Sequence, residues 1–351
     1  MHGLLWFRGK YAVFFTCGVQ NFLFLRKFFL FLVSSGMECS TFEEKSTMKN
    51  FHFCISGGDE ILFRSEIDYI RGFNTLALSV AETGSLLSAE AFMSTHLHVC
   101  VRTDDINALI YRFWRSYTRY FNSKYKRKGT LGERPFVLEI DGFHHWLTAI
   151  CYVMRNPVHH GVAPTPFAYR HCSANALFRK ETGKMRTSAG VLPRRSYYKY
   201  LPKGSDCPAC FEMDDSGMIL RETVLDLADV EYRFATPRAF LFYMNRLTGE
   251  EWKREQEKDA TECAPITLEM IERQARTETL SEMLRHEHGR SDYKAVSDME
   301  LCEKIDGELL PISGKDSVYE LSVQDKQQLL KHLRSDSRVP EKQVKRCLVM
   351  K

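Results

Sequence analysis

The sequence predicts an α+β fold: a ferredoxin-like antiparallel sheet with helices on one face, followed by a mainly α-helical C-terminal region. Three observations lead to this prediction. Between residues 50 and 140, the segments run strand, helix, strand, strand, helix, strand. The strand segments alternate side chains with a period of two, whereas the helical segments repeat apolar side chains every three or four residues. After about residue 236 the candidate segments are helical. The order of segments between residues 50 and 140 is that of a ferredoxin-like sandwich.

Each element has its own local signal. Gly57-Gly58 ends the first strand, and Ser65 is a candidate N-cap for the first helix. Asp104 or Asp105 can cap the second helix, which carries a long apolar stripe. The predicted segments, in order, are strand 50–56, helix 65–82, strands 86–93 and 92–101, helix 105–125 and strand 136–140.

The strand at residues 92–101 carries the sequence His96-Leu97-His98. Successive side chains on a strand point to opposite faces, so His96 and His98 share one face while Leu97 points to the other, apolar one. Two imidazoles on one rigid strand supply half of a metal site. The alternative is that both rings face solvent or a polar partner. The strand itself is expected to be central in the sheet.

A helical run at residues 143–155 follows, and it reaches Asn156-Pro157. Tyr152 and Asn156 are four residues apart, so they share one helix face if the last turn persists to Asn156. A residue before proline is disfavoured in the α region. The alternative for Tyr152 is a buried helix tyrosine that hydrogen-bonds a neighbour.

These motifs together resemble those of the single-tyrosine HUH transposases, and most closely the branch associated with repetitive extragenic palindromes (REP). The resemblance runs from about Lys49 to Phe178, and it includes the Tyr152-x-x-x-Asn156-Pro157-Val158-x-x-Gly161 run and the stretch from Tyr169 to Asn175. Thr95 departs from the family pattern, which usually has Asn before the first histidine.

The resemblance implies a function and a set of site residues. Tyr152 is the expected nucleophile, forming a 5′-phosphotyrosine. His96, His98 and Asn156 are the expected ligands of Mg²⁺ or Mn²⁺, and the expected substrate is a single-stranded DNA hairpin. The implied protein is a metal-dependent endonuclease and strand transferase that needs no nucleotide cofactor and acts as a monomer or homodimer.

Charge is concentrated in the middle of the chain. Residues 102–199 contain 18 Lys and Arg against 6 Asp and Glu, although the whole chain has a net charge of only +4. Dense local cation indicates a polyanion partner, and the alternative is a solvated basic surface or helix end. The predicted DNA-binding residues are Arg112, Arg115, Arg119, Lys124, Lys126, Arg127, Lys128 and Arg134.

Other features bound the class of protein. The eleven cysteines have no framework spacing, and Cys207 and Cys210 form a single C-x-x-C, which favours reduced thiols in the cytoplasm over a structural zinc. The sequence has no phosphate-binding Gly loop, which argues against nucleotide hydrolysis. Residues 1–47 are apolar but interrupted by Arg26 and Lys27, and we expect an upstream-translated or disordered leader, with an exported protein as the alternative.

The predicted domains are a leader (1–47), a catalytic domain (48–180), a basic and aromatic linker with helices (181–265) and a helical C-terminal domain (266–351). The last two helices, near 322–333 and 337–348, are compatible with a helix-turn-helix or with a helical cap that has no role in DNA binding. Two rival functions stay open: a DNA-binding protein that has lost catalysis, and a hydrolase of small phosphoesters.

Overall fold

The computed structural model describes residues 2–5, 13–16, 48–183, 190–245, 270, 285–287, 290–292, 296–334 and 339–350. The chain divides into two compact units, Met1–Ser46 and Thr47–Lys351. In the first unit, strands β1 (His2–Leu5) and β2 (Val13–Thr16) pair antiparallel. Most of the predicted leader lies outside the described residues.

The second unit is built on a four-stranded sheet. Its elements are β3 (Lys49–Ser56), α1 (Glu66–Glu82), β4 (Leu86–Phe92), β5 (His96–Thr103), α2 (Ile106–Lys124), β6 (Phe136–Glu139) and α3 (Phe143–His159). The sheet order is β4-β5-β3-β6, and every pairing is antiparallel. This is the ferredoxin-like order, and it puts β5 inside the sheet. The predicted fold class is confirmed.

Helices α1 and α2 cover one face of the sheet. Asp105 accepts a hydrogen bond from the Ala108 N–H at 2.9 Å, which caps α2 as predicted. The apolar side chains of both helices meet those of the strands in one fully buried core. This core includes Phe53, Ile55, Phe73, Leu76, Leu97, Val99, Val101, Leu109, Phe113, Tyr117 and Phe121.

Helix α3 lies on the opposite face of the sheet. Small side chains on the strands, Ala89, Ala91 and Cys100, belong to the same buried cluster as Ala149 and Ile150 of α3. Because these strand side chains are short, the helix can pack closely against the sheet.

Residues after 190 complete both cores. Tyr197, Leu201, Phe211, Met213 and Ile219 pack into the cluster beneath α1 and α2. The later elements are α4 (Leu227–Phe234), α5 (Pro237–Asn245), β7 (Arg285–Glu287), β8 (Arg290–Asp292), α6 (Asp298–Lys304), α7 (Val323–Leu333) and α8 (Glu341–Cys347). Helix α6 continues as a π-helical segment (Ile305–Leu309) and a short turn (Leu310–Ile312). Short 3₁₀ helices are at Pro166–Ala168, Ser173–Ala176, Arg194–Lys199, Arg221–Thr223 and Val318–Glu320.

The C-terminal helices pack against the loop between β3 and α1. The guanidinium of Arg64 is fully buried, bonds both carboxylate oxygens of Asp306 at 2.7 and 2.9 Å and donates to the Cys347 carbonyl at 2.8 Å. The Ser94 hydroxyl donates to Asp298 at 2.7 Å. Val344 and Cys347 of α8 are also buried. The choice between a helix-turn-helix and a helical cap for the last two helices stays open, and the boundaries at 180 and 265 stay predictions.

Among the described residues, no helix is both long and apolar enough to cross a membrane.

Candidate active site

Strand β5 places His96 and His98 on the face that α3 covers. Their ring centres are 5.1 Å apart, and the ring planes are nearly perpendicular. Both side chains are buried, whereas Leu97 between them belongs to the core beneath α1 and α2. The Thr95 hydroxyl lies 3.1 Å from Nδ1 of His96, so a hydroxyl in place of the usual amide still contacts the first histidine.

Helix α3 continues through Asn156-Pro157 to His159, so the last turn persists despite the proline. Tyr152 and Asn156 therefore share a face. The Asn156 amide Nδ2 donates to the Tyr152 hydroxyl at 3.3 Å, and its Oδ1 lies 3.1 Å from Nε2 of His96. The Tyr152 ring lies edge-on to His98 with 5.4 Å between ring centres. The structure thus brings together the four residues predicted for the catalytic and metal-binding roles.

His52 is a site residue that the sequence reasoning missed. Its Nε2 lies 2.9 Å from Nδ1 of His98, and the two rings are stacked. Burial lowers the pKa of His52 to about 3, so the ring is neutral at ordinary pH. Burial also lowers the pKa of His98, and the neighbouring His96 lowers it further. The alternation of residues 50–56 could have indicated this position. Because side chains alternate along a strand, His52 points to the same face as Cys100, the residue opposite it on β5.

His160 is also buried beside these residues. It is the C-cap residue of α3, and its side chain is only 2% exposed. Its ring centre is 4.8 Å from that of His96. Neither ring nitrogen has a hydrogen-bond partner among the residues that the structure describes. Burial, and next the charge of His96, lowers its pKa.

The donor set fits a divalent ion chemically. It combines the imidazoles of His96 and His98 with the amide oxygen of Asn156, and first-row divalent ions accept both donor types. The orphaned ring nitrogens of His160 add an unsatisfied buried donor beside them. The described residues contain no preformed group of three His, Cys, Asp or Glu ligands.

Several predicted DNA-binding cations make ion pairs on the side of the sheet that faces away from the histidines. Lys124 contacts buried Asp68 at 2.7 Å, and Arg127 contacts Glu60 at 2.8 Å. The other ion pairs are Lys126 with Asp316 at 2.5 Å and Arg112 with Glu82 at 3.0 Å. The roles of all eight cations, including Lys128, stay predictions.

A groove of about 940 Å³ lies between α2 and β6, and its lining includes Tyr111, Arg115, Arg119 and Arg134. Tyr111 is 61% exposed, and Arg115 packs over its ring. Cations beside an exposed ring suit a nucleic-acid strand.

Two other tyrosines, Tyr120 and Tyr125, lie in a different environment from Tyr152. Tyr125 is buried and donates to Asp68 at 2.6 Å, and Tyr120 donates to the same carboxylate. Burial raises the pKa of both hydroxyls, and the Asp68 charge raises it further. A phenol that donates to a buried carboxylate is poorly placed to lose its proton and attack a phosphate.

No family model matches this chain, and no curated protein matches it. One solved structure, a REP-associated tyrosine transposase bound to a REP hairpin, is similar over 40% of this chain and 90% of its own, at 13% sequence identity and a TM-score of 0.33.

Proposed function

We propose that this protein is a metal-dependent, single-stranded DNA endonuclease and strand transferase that cuts through a 5′-phosphotyrosine on Tyr152. One observation carries the proposal. The Asn156 amide connects the Tyr152 hydroxyl to His96, so a nucleophile and two candidate metal ligands converge within hydrogen-bond distance. The resemblance in sequence motifs adds the substrate class, a hairpin-forming repeat.

The residues divide the chemical work. Tyr152 Oη attacks phosphorus, the bond from phosphorus to the 3′ oxygen breaks, and the 3′ oxygen leaves as a hydroxyl after taking up a proton. The Asn156 amide donates to Oη, so it stabilises the negative charge that develops there while the hydroxyl proton passes to water. A divalent ion, Mg²⁺ or Mn²⁺, supplies polarisation of a non-bridging phosphate oxygen when bound. The phosphotyrosine conserves the bond energy, so another 3′ hydroxyl can rejoin the strand without a nucleotide.

Access to the nucleophile requires movement. Tyr152 is only 4% exposed, so side chains around Oη have to move before a phosphate reaches it.

The test is adduct formation with single-stranded hairpin DNA in Mg²⁺ or Mn²⁺. We expect the full chain to form a denaturation-resistant adduct on the 5′ side of the cut. Tyr152→Phe should abolish the adduct and leave DNA affinity nearly unchanged, because only the attacking oxygen is lost. His96→Ala should abolish it too, with a barrier increase of several kcal/mol.

Tyr125→Phe is the matched control, since it removes a buried tyrosine hydroxyl on the other side of the sheet. Its adduct yield should stay near that of the wild type in the folded fraction. An adduct that survives Tyr152→Phe would move the nucleophile to another residue. Hairpin binding without cleavage, with metal bound, would favour the catalytically inactive DNA-binding protein.

A further inference from the structure

We infer that Asp298, at the start of α6, is a positioning residue for His96, because its carboxylate holds the turn from which strand β5 begins. The inference rests on the proposed function for the role of His96. It adds that the C-terminal helices take part in fixing the geometry of the candidate site. The position of the His96 ring would then depend on a hydrogen bond between residues that are 204 positions apart in the sequence.

The first argument is the contact itself. The Ser94 hydroxyl donates to the Asp298 carboxylate at 2.7 Å, and the Arg346 guanidinium donates to the same carboxylate at 3.0 and 3.3 Å. All three residues are buried, and Asp298 is only 1% exposed. A buried carboxylate stays beside its cation, because any other position would leave both charges unpaired in the interior. The group that accepts the Ser94 hydroxyl is therefore held in one place.

The second argument is the short path from Ser94 to His96. Ser94 lies in the turn between β4 and β5, and only Thr95 separates it from His96. The Thr95 hydroxyl lies 3.1 Å from Nδ1 of His96, and the Thr95 carbonyl accepts a hydrogen bond from the Gly57 N–H at 2.7 Å. A shift of the Ser94 backbone would thus move Thr95 and change the contact that orients the His96 ring.

The turn is also held on its other side, by the loop that precedes α1. The Ser94 carbonyl accepts hydrogen bonds from the N–H groups of Leu62 at 2.7 Å and Phe63 at 3.2 Å. The next residue of this loop, Arg64, is itself bonded to Asp306 in the C-terminal region. Ser94 is therefore connected with the C-terminal region through its hydroxyl and also through its carbonyl.

The consequence for the reaction is geometric. Catalytic groups have to be held within about 0.5 Å of their productive positions, and a displacement of about 1 Å can lower the rate about 100-fold. Nε2 of His96 lies 3.1 Å from Oδ1 of Asn156, and the Asn156 amide donates to the Tyr152 hydroxyl. A displaced His96 would therefore disturb the groups around the nucleophile. DNA affinity should change little, because phosphate contacts at other surfaces position the strand.

The experiment compares two serines that each join the C-terminal region to the core through one buried hydroxyl. Ser94→Ala removes the bond to Asp298. Ser317→Ala is the matched control, because Ser317 is fully buried and donates to the Tyr125 carbonyl, at the end of α2 and away from β5. In Ser94→Ala we expect adduct formation at saturating hairpin DNA to slow about tenfold, and the DNA concentration for half-maximal rate to change less than about twofold. Ser317→Ala should keep the wild-type rate.

A second measurement does not depend on cleavage. The proton NMR signal of Cε1–H of the His96 ring, assigned by its loss in His96→Ala, reports where this ring lies. The rings of His98 and His160, with centres 5.1 and 4.8 Å away, shift the signal according to their orientation. We expect the signal to move in Ser94→Ala and to stay in place in Ser317→Ala. Ser94→Thr, which keeps the hydroxyl, should restore both the signal and the rate.

A wild-type rate or an unmoved His96 signal in Ser94→Ala would overturn the inference. An equal loss of rate in Ser317→Ala would overturn it too, since general packing would then explain the effect. If Ser94→Ala does not fold, the double variant Asp298→Ala/Arg346→Met replaces it, because it removes the carboxylate together with its cation and leaves no buried charge unpaired. A moved signal in a chain whose wild type does not cut DNA would refute the proposed function and leave the positioning role standing, whereas cleavage at equal rates would do the reverse.

Discussion

The two faces of the central sheet differ sharply although they are made by the same strands. On β5, Leu97 and Val99 point into an apolar core beneath α1 and α2, and His96 and His98 point toward α3. The apolar face gains its stability from burial of large side chains. The histidine face combines small side chains with buried polar groups. Because side chains alternate with a period of two, one strand contributes to the core on one side and to the candidate site on the other.

The apolar face also contains a buried carboxylate. Glu90 on β4 is directly opposite Val99, its side chain is fully buried, and Arg221 forms an ion pair with it. The Arg221 guanidinium also packs over the Phe73 ring at 4.4 Å. A carboxylate in this core is therefore held by a cation that comes from the segment after residue 190.

The largest expected effect on stability comes from breaking the apolar face. Leu97→Ala should lower the free energy of unfolding by about 2 to 5 kcal/mol, because it leaves a cavity in a fully buried core. His96→Ala, one residue away, should cost less, about 1 to 3 kcal/mol, because it leaves buried hydrogen-bond partners unpaired, and it should abolish metal binding. Urea unfolding and metal titration of both variants check this. If both variants lost the same stability, the two faces of the sheet would contribute equally to stability, and the proposed difference between them would be wrong.

Much of this division could be predicted from the sequence. The alternation on β5 and the spacing of Tyr152 and Asn156 are local patterns. Such patterns can be recognised in the sequence without knowledge of the tertiary fold. His52 was not identified from the sequence, because its position beside His98 depends on a contact between two strands. The packing of the C-terminal helices was also not predictable, since Arg64 meets Asp306 from 242 residues away.

A smaller effect, dependent on pH, should follow from Arg221→Met. The variant leaves Glu90 buried without its cation and should lose about 3 kcal/mol at pH 8. Burial already raises the pKa of Glu90, despite the opposing effect of Arg221. An acid whose pKa is higher in the folded state binds its proton more tightly there, so stability rises as the pH falls toward the unfolded value.

Urea unfolding at pH 5 and pH 8 tests this sign. Arg221→Met should recover part of its lost stability at pH 5. Adding Glu90→Gln should remove that recovery, because no carboxyl is left to protonate. A variant with the pH dependence of the wild type would show that Glu90 is not the titrating group.

The smallest effect on stability should reveal which face DNA uses. Arg119 lines the groove beside α2, on the apolar side of the sheet. If the DNA strand lies in this groove, Arg119→Ala should change the free energy of unfolding by less than about 0.5 kcal/mol. It should also lower the slope of log affinity against log salt by about 0.7, the value for one phosphate contact on single-stranded DNA.

Lys124→Ala is the matched control, because Lys124 lies on the same helix and bonds Asp68, a carboxylate that is otherwise contacted by Tyr120 and Tyr125. We expect it to reduce stability, since it removes the cation beside a buried charge. A salt slope that stays constant in Arg119→Ala would place the DNA elsewhere, with Arg155 on α3 as the next cation to test. The sheet would then carry phosphate contacts and chemistry on one face and stability alone on the other.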